Sequence, residues 1–136
     1  MADPRSVLVT GATGLIGREV VARLVARGTP VTALVRDPGR ARALLGPGVS
    51  LRVGDVTTAE CWREGEASGV IHCAASIVAR APWSEFERAN VEATRLAAGY
   101  ARARGIPLVH VSSVAVYGGA SRAPVGTVAE DHPFAP

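Results

Sequence analysis

Three glycines with regular spacing are the residues of this chain best suited to chemistry. They occupy positions 11, 14 and 17 of the stretch GATGLIG, after a β-branched apolar run at 6–10 and before apolar residues at helical spacing. Between a buried strand and a helix, glycines permit a tight turn and the close approach of a phosphate to the backbone. The amide groups at the helix start then favour negative charge. The sequence therefore predicts a dinucleotide phosphate site rather than a turn that binds nothing, formed by Gly11, Thr13, Gly14, Leu15, Ile16 and Gly17.

The residues after the second predicted strand help to determine which dinucleotide the chain would bind. An acidic side chain at this point accepts hydrogen bonds from the adenosine ribose, whereas a cation suits a 2′-phosphate. The strand at 31–35 is followed by Arg36 and then by Asp37. Because Arg36 holds the position next to the strand, the sequence favours NADP as the cofactor, with NAD as the alternative.

A sheet must bring these strand ends together, and the hydrophobic pattern predicts one. It predicts strands at 6–10, 31–35, 49–53, 69–75 and 108–111, and helices at 15–27, 37–45 and 84–104. Strands that alternate with helices indicate an α/β fold, here a doubly wound parallel (Rossmann) sheet of five strands in the order 3-2-1-4-5. Residues 1–118 would form this dinucleotide-binding domain, and residues 119–136 an irregular tail.

Local signals predict how two of the helices begin. Thr57 or Thr58 suits the cap of a short helix that would run through residue 66. Ser84 and Glu87 have the spacing of a capping box, in which two side chains satisfy the amides at a helix start. The longest helix is therefore expected to begin at Ser84.

Composition excludes several classes of function. The chain has 136 residues, and its 15 basic side chains are all arginine, so it forms neither a P-loop nor a Schiff base. Positive and negative side chains are mixed, unlike the one-sided basic surface of a nucleic-acid-binding protein. The two cysteines and three histidines lack metal-ligand spacing, and no apolar run reaches the roughly 18 residues of a membrane span. We therefore expect a soluble cytoplasmic protein without a metal site.

The motifs, in their order along the chain, resemble those of the extended short-chain dehydrogenase/reductase superfamily. Besides GATGLIG, the resemblance rests on LVRDP at 34–38, GDV at 54–56, HCAA at 72–75 and VHVSSVAVYG at 109–118. The chain most resembles the NAD(P)-dependent epimerase/dehydratase family, and VRDP and HCAA look like its dihydroflavonol-reductase and 3β-hydroxysteroid-dehydrogenase-like members. A sugar-nucleotide epimerase or dehydratase is the alternative within the family.

The resemblance implies roles for residues at the third and fourth strand ends. Asp55 would accept a hydrogen bond from the adenine amino group, although it equally suits a helix cap. Val56 would line the pocket of the adenine ring. Ala74 and Ala75 would let the cofactor approach the fourth strand, or would serve as ordinary core alanines.

The end of the fifth strand carries the implied substrate contact. In the family a Ser or Thr here binds the reacting oxygen, and counting back from Tyr117 matches Ser113 to that catalytic role. Ser112 points to the other face because side chains alternate along a strand, and it is assigned to the cofactor. Asn90 resembles the family's helix motif near the active site. His72 and His110, within apolar strands, are expected to be core residues.

The family's proton-transfer pair, a Tyr-x-x-x-Lys motif, does not occur in this sequence. Tyr117 is followed by Gly-Gly-Ala-Ser and matches the family's structural tyrosine, while Tyr100 is followed by Arg104. The resemblance therefore implies the N-terminal part of an enzyme that transfers hydride between nicotinamide and a carbinol or carbonyl carbon. Its small-molecule substrate would require a further C-terminal part. A non-catalytic NAD(P) sensor or interaction module is the alternative, and we expect no turnover from the chain alone.

The fifth predicted strand is apolar on both faces, and the pattern predicts no strand beyond it. The sheet is therefore expected to be incomplete at its C-terminal edge. An exposed apolar edge strand invites pairing with another chain, so we expect either a homo-oligomer or a marginally stable monomer.

Overall fold

A five-stranded parallel sheet forms the centre of the structure, a computed structural model that describes residues 5–77, 80–118 and 128–135. The strands are β1 (Val7–Thr10), β2 (Val31–Val35), β3 (Ser50–Val53), β4 (Gly69–His72) and β5 (Leu108–His110). They lie in the order β3-β2-β1-β4-β5, and all neighbouring strands are parallel. The predicted topology is confirmed, and it places all the strands' carboxyl ends at one edge of the sheet.

Two helices cover one face of this sheet. α1 (Leu15–Ala26) is followed by Gly28, whose positive φ of 71° suits the residue just past a helix end. α2 (Pro38–Leu45) begins at a proline, and its N-cap Asp37 accepts a hydrogen bond from the Arg40 amide at 2.9 Å. Burial of apolar side chains holds this layer together, and its core consists of Val9, Ala12, Val21, Val31, Ala33, Val35, Ala41 and Val49.

The other face of the sheet is covered by the longest helical stretch and by a short turn. The core there consists of Leu8, Leu34, Trp62, Ala67, Val70, Ala97, Tyr100 and Ala101. The predicted helix through residue 66 is wrong, because only a single 3-10 turn forms, at Ala59–Trp62. The indole of Trp62 is buried and donates a hydrogen bond to the Val56 carbonyl at 2.9 Å. This bond fixes the chain just after β3.

The longest helical stretch is not one regular α-helix. It consists of α3 (Trp83–Phe86), a π-helical segment (Glu87–Glu92) and α4 (Ala93–Arg104). The predicted capping box is wrong, because Pro82 is the N-cap and Ser84 already lies inside the helix. Wide π-helical turns are rare and occur frequently at functional sites. This one faces the carboxyl ends of the strands.

The C-terminal described residues return to the sheet edge. A 3-10 turn at Val114–Tyr117 follows β5, and the Ala135 amide donates to the Val116 carbonyl at 2.8 Å. The predicted tail at 119–136 lies partly outside the described residues, so the domain division after residue 118 stays a prediction. Within the described ranges, no helix is long and apolar enough to cross a lipid bilayer.

Candidate dinucleotide-binding site

A cavity of about 400 Å³ lies at the carboxyl ends of the central strands. It is lined by Gly11, Thr13, Gly14, Leu34, Val35, Arg36, Gly54, Asp55, Val56, Thr57, Cys73, Ala74, Ala75, Ser76, Ile77, Glu85, Arg88 and Ala89. A larger cavity of about 770 Å³ opens beside β3, but the glycine loop and the start of α1 do not line it. Ligands of open parallel sheets bind outside the strands' carboxyl ends, so the smaller cavity is the candidate site.

Close packing of the glycine loop shapes one wall of this cavity. Gly11 has a φ of 63°, and a Cβ atom there would lie 2.7 Å from the Ala74 nitrogen. A Cβ atom on Gly17 would collide with the carbonyl oxygen of Gly11. Both positions therefore require glycine. Gly11 needs it for its positive φ and for the contact with the loop after β4, and Gly17 needs it for the contact between α1 and the glycine loop.

The first turn of α1 has features that favour the binding of an anion. Gly14 is the N-cap and offers no side chain to cap the helix, and the first turn contains no acidic residue. The first amides of a helix have no partner within it, and they carry partial positive charge. Leu15 and Ile16 are exposed, so a ligand can reach this turn. The loop and helix start thus fit the diphosphate of a dinucleotide.

Asp55 is held as a carboxylate at the opposite side of the cavity. Its Oδ1 atom accepts hydrogen bonds from the amide and the hydroxyl of Thr57, at 2.9 and 2.8 Å. Burial by itself raises the pKa of Asp55, but the bonds from Thr57, with Arg36 and Arg88 nearby, lower that pKa below its ordinary value. Asp55 does not cap a helix, because Thr58 is the N-cap of the turn at Ala59–Trp62. One Asp55 oxygen instead braces the chain before that turn, and the other can meet a ligand.

Arg36 and Asp37 follow the same strand but have different surroundings. Arg36 lines the cavity, whereas Asp37 does not. The Asp37 carboxylate is the N-cap of α2 and binds the Arg40 amide. The acidic side chain at this strand end is therefore engaged in the fold.

The glycine loop, the start of α1 and the Asp55 carboxylate together fit a dinucleotide. A comparison with protein-family models matches residues 7–136 to the NAD-dependent epimerase/dehydratase family. The chain belongs to this family.

Similar proteins with curated names or solved structures agree with this assignment. The chain is 41% identical, over 93% of its length, to a 4-hydroxy-2-methyl-3-oxo-4-farnesyl-3,4-dihydroquinoline-1-oxide ketoreductase of Stigmatella aurantiaca. A UDP-galactose 4-epimerase structure matches 96% of the chain with a TM-score of 0.83 and 29% identity. A short-chain dehydrogenase/reductase superfamily protein from Agrobacterium tumefaciens with bound NAD matches 97% of it, with a TM-score of 0.79 and 32% identity.

These relatives are much longer than the chain. It spans 38% of the ketoreductase, 45% of the epimerase and 39% of the Agrobacterium protein. The shared part contains the sheet and the cavity described above. The chain is thus a cofactor-binding domain of the epimerase/dehydratase family.

The cavity of this family member brings together many of the predicted site residues and leaves others outside. The predicted residues that line it are Gly11, Thr13, Gly14, Arg36, Asp55, Val56, Ala74 and Ala75. The predicted residues that do not line it are Leu15, Ile16, Gly17, Ser112 and Ser113. The side chain of Ser113 is exposed, and its Oγ accepts a hydrogen bond from the Ala115 amide at 3.2 Å. The binding roles of all thirteen residues stay predictions.

Sequence reasoning missed the helical wall of the cavity. Glu85, Arg88 and Ala89 line it from α3 and the π-helical segment. Cys73, Ser76 and Ile77 line it from the loop after β4. The sequence signals this wall only through Asn90, a residue that is unfavourable inside a helix.

Asn90 joins the loop after β4 to the π-helical segment. Its Oδ1 atom accepts from the Ser76 amide at 2.7 Å, and its Nδ2 atom donates to the Ser76 carbonyl at 3.0 Å. Both segments line the cavity, so these two bonds set the distance between them. The predicted place of Asn90 near the site is therefore explained by a structural contact.

Replacing Asn90 with alanine is expected to loosen this wall. Two partly buried hydrogen bonds would be lost, so we expect a decrease of about 2 kcal/mol in the free energy of unfolding. Hydrogen exchange at the Ser76 amide should become faster, because that amide would lose its acceptor. Asn90→Asp keeps the acceptor and removes the donor, and should protect the Ser76 amide better than alanine does. Equal exchange rates in the wild type and both variants would contradict this account.

The two tyrosines of the family member have structural contacts. Tyr100 is buried, and its hydroxyl donates to the Gly65 carbonyl at 2.8 Å. The Arg104 guanidinium lies over the Tyr100 ring, 3.8 Å from its centroid. Tyr117 packs against the rings of His132 and Phe134, each at 5.7 Å between centroids. These contacts agree with the structural role that the sequence indicates for Tyr117.

Proposed function

We propose that this chain binds NADP in preference to NAD. The observation that supports this preference is the division between two neighbouring side chains: Arg36 lines the cavity, and Asp37 is occupied as the N-cap of α2. A guanidinium group binds a phosphate by paired, charge-assisted hydrogen bonds. Because Asp37 does not line the cavity, its carboxylate is less well placed than Arg36 to interact with the ribose or its 2′-phosphate.

The remaining contacts of the proposed cofactor follow from the cavity walls. The amides at the start of α1 would hold the diphosphate, and the free oxygen of Asp55 would accept from the adenine amino group. When bound, the cofactor supplies the hydride for reduction. Ser113 would donate to the substrate oxygen, since its hydroxyl hydrogen is not used in the bond from the Ala115 amide. The proton-transfer pair would come from outside these residues, because the chain contains no lysine.

We assign the whole protein to reduction of a ketone or oxidation of the matching carbinol. The named activity of the Stigmatella relative, a ketoreductase at 41% identity, supports this class. The structural similarity to a UDP-galactose 4-epimerase supports a second candidate, sugar-nucleotide epimerisation, which uses the same cofactor site. The lack of lysine supports a third, a non-catalytic NADP sensor.

Titration calorimetry with NADP and NAD tests the proposed preference. The wild type should bind NADP about tenfold or more tightly than NAD, because a charge-assisted phosphate contact contributes about 1.5–3 kcal/mol. Arg36→Gln should bring the two affinities together by weakening NADP alone. Arg40→Gln, on the exposed side of α2 and away from the cavity, should leave the ratio unchanged. A wild type that binds NAD more tightly would contradict the proposal.

The proposal includes a cytoplasmic location and a small-molecule substrate, with no nucleic-acid partner. Cys61 and Cys73 are both unpaired thiols, which is usual in a reducing compartment. The apolar edge strand β5, with Val109 56% exposed, is compatible with the expected homo-oligomer.

A further inference from the structure

Arg88 projects into the cofactor cavity from the π-helical segment, across from Asp55. It lines the cavity together with Ala89 from the same segment. Within the described ranges, neither Arg88 nor Arg36 forms an ion pair or a hydrogen bond through its side chain. Glu85 lies one turn before Arg88 on the same wall, and no ion pair joins the two in that part of the chain. The Arg88 guanidinium is therefore free to meet a ligand.

The opposite wall presents one acceptor and one donor side by side. Asp55 has one oxygen engaged by Thr57 and a second oxygen without a hydrogen bond in the described part of the chain. Val56 follows directly, and its carbonyl is used by Trp62, while no bond engages its amide among the described residues. An acceptor next to a donor matches the amino group and the N1 atom of adenine. The N7 atom, on the other side of the amino group, is an acceptor that this wall does not satisfy.

We propose that Arg88 donates a hydrogen bond to N7 of the adenine and so supplies a purine-specific contact to the base. This inference rests on the proposed dinucleotide site. The two arginines then bind different parts of the cofactor, since Arg36 contacts the 2′-phosphate and Arg88 contacts the purine ring. Both arginines line the same cavity as the Asp55 carboxylate.

The test compares binding of ADP and 7-deaza-ADP, which lacks the N7 acceptor, to the wild-type chain and to Arg88→Leu. The wild type should bind 7-deaza-ADP about tenfold more weakly than ADP, the usual effect of a hydrogen bond to a charged group. Arg88→Leu should bind ADP about tenfold more weakly than the wild type does, and should no longer distinguish the two ligands. Its ratio of NADP to NAD affinity should equal that of the wild type. Arg95→Leu, an exposed residue on the same helical stretch that pairs with Glu92, serves as the control and should match the wild type.

The other outcomes separate this inference from the proposed function. If Arg88→Leu still binds 7-deaza-ADP more weakly than ADP by the same factor as the wild type, Arg88 does not contact N7 and the inference fails. An Arg88→Leu variant that weakens only NADP would assign Arg88 to the phosphate, which also overturns it. A wild type that binds neither ADP nor NADP would instead refute the dinucleotide site itself.

Discussion

The Gly17→Ala variant is expected to lose about 3 kcal/mol of its free energy of unfolding, the upper part of the usual cost of overpacking a buried site. The added methyl group would collide with the backbone oxygen of Gly11. Backbone cannot rotate away as a side chain can, so α1 would have to move from the glycine loop. Because the loop and the start of α1 form the diphosphate wall, cofactor affinity should fall as well. Denaturant unfolding and calorimetric titration with NADP measure the two effects.

Gly99→Ala provides the matched control for Gly17→Ala. Gly99 also lies inside a helix, but a Cβ atom there would meet no atom within 4 Å. Alanine has the higher helix propensity, so this variant should be more stable than the wild type by about 0.4–1 kcal/mol. If Gly17→Ala lowers the free energy of unfolding and Gly99→Ala raises it, close packing, and not helix propensity, is the reason for glycine at position 17. A Gly17→Ala variant as stable as Gly99→Ala would refute the packing argument.

Acid is expected to destabilise the chain through His72, at the end of β4. Its ring is fully buried and its Nδ1 atom lies 2.7 Å from the Thr10 hydroxyl oxygen. Its Nε2 atom is buried and has no partner within the described residues. Burial, and to a smaller extent the neighbouring His110, lowers the pKa of His72 from 6.5 to about 4.

The direction of this pH effect follows from which state binds the proton. Between pH 6.5 and about 4 the unfolded chain protonates His72 and the folded chain does not, so stability falls as the pH decreases through that range. A shift of this size corresponds to about 3 kcal/mol. Denaturant unfolding at pH 7 and at pH 4.5 should show most of the loss.

The His72→Gln variant separates this titration from other acid effects. Glutamine keeps hydrogen-bonding groups but does not titrate, so the decrease between pH 6.5 and 4 should largely disappear, whatever the variant's stability at neutral pH. The loss attributable to Asp55, whose lowered pKa lies below its ordinary value of 3.8, should appear only at lower pH. An unchanged pH dependence in His72→Gln would show that other groups control acid stability.

The sheet could be predicted from the sequence because each strand has a strong local signal. β2 (Val31–Val35) is buried along its whole length, and all its residues except Thr32 are apolar. Gly28 marks the end of α1 in the same direct way. The crossover after β3 was predicted less well, because the contacts of Trp62 with the chain after β3 are tertiary and leave no periodic pattern.

The candidate site was predictable on one side and not on the other. Residues that follow strands, such as Asp55 and Ala74, have positions fixed by the topology. Arg88 looks like a solvent-facing charge in the sequence, and only the packing of its helix across the cavity gives it another environment. The N-cap role of Asp37 was not predicted, although an aspartate directly before a proline is a sequence signal for the start of a helix.

The π-helical segment also sets an angular relation between two parts of one helix. Each residue of an α-helix turns by about 100° around the axis, and a wider turn shifts the residues after it out of that phase. Arg88 and Ala89 line the cavity, while Ala97 and Tyr100 on the same helical stretch lie in the core. Because a π-helical turn contains more residues than an α-helical turn, the six residues of Glu87–Glu92 turn through about the same angle as five residues of an α-helix. The segment therefore accommodates one additional residue beside the cavity while α3 and α4 keep nearly the relative orientation of a continuous helix.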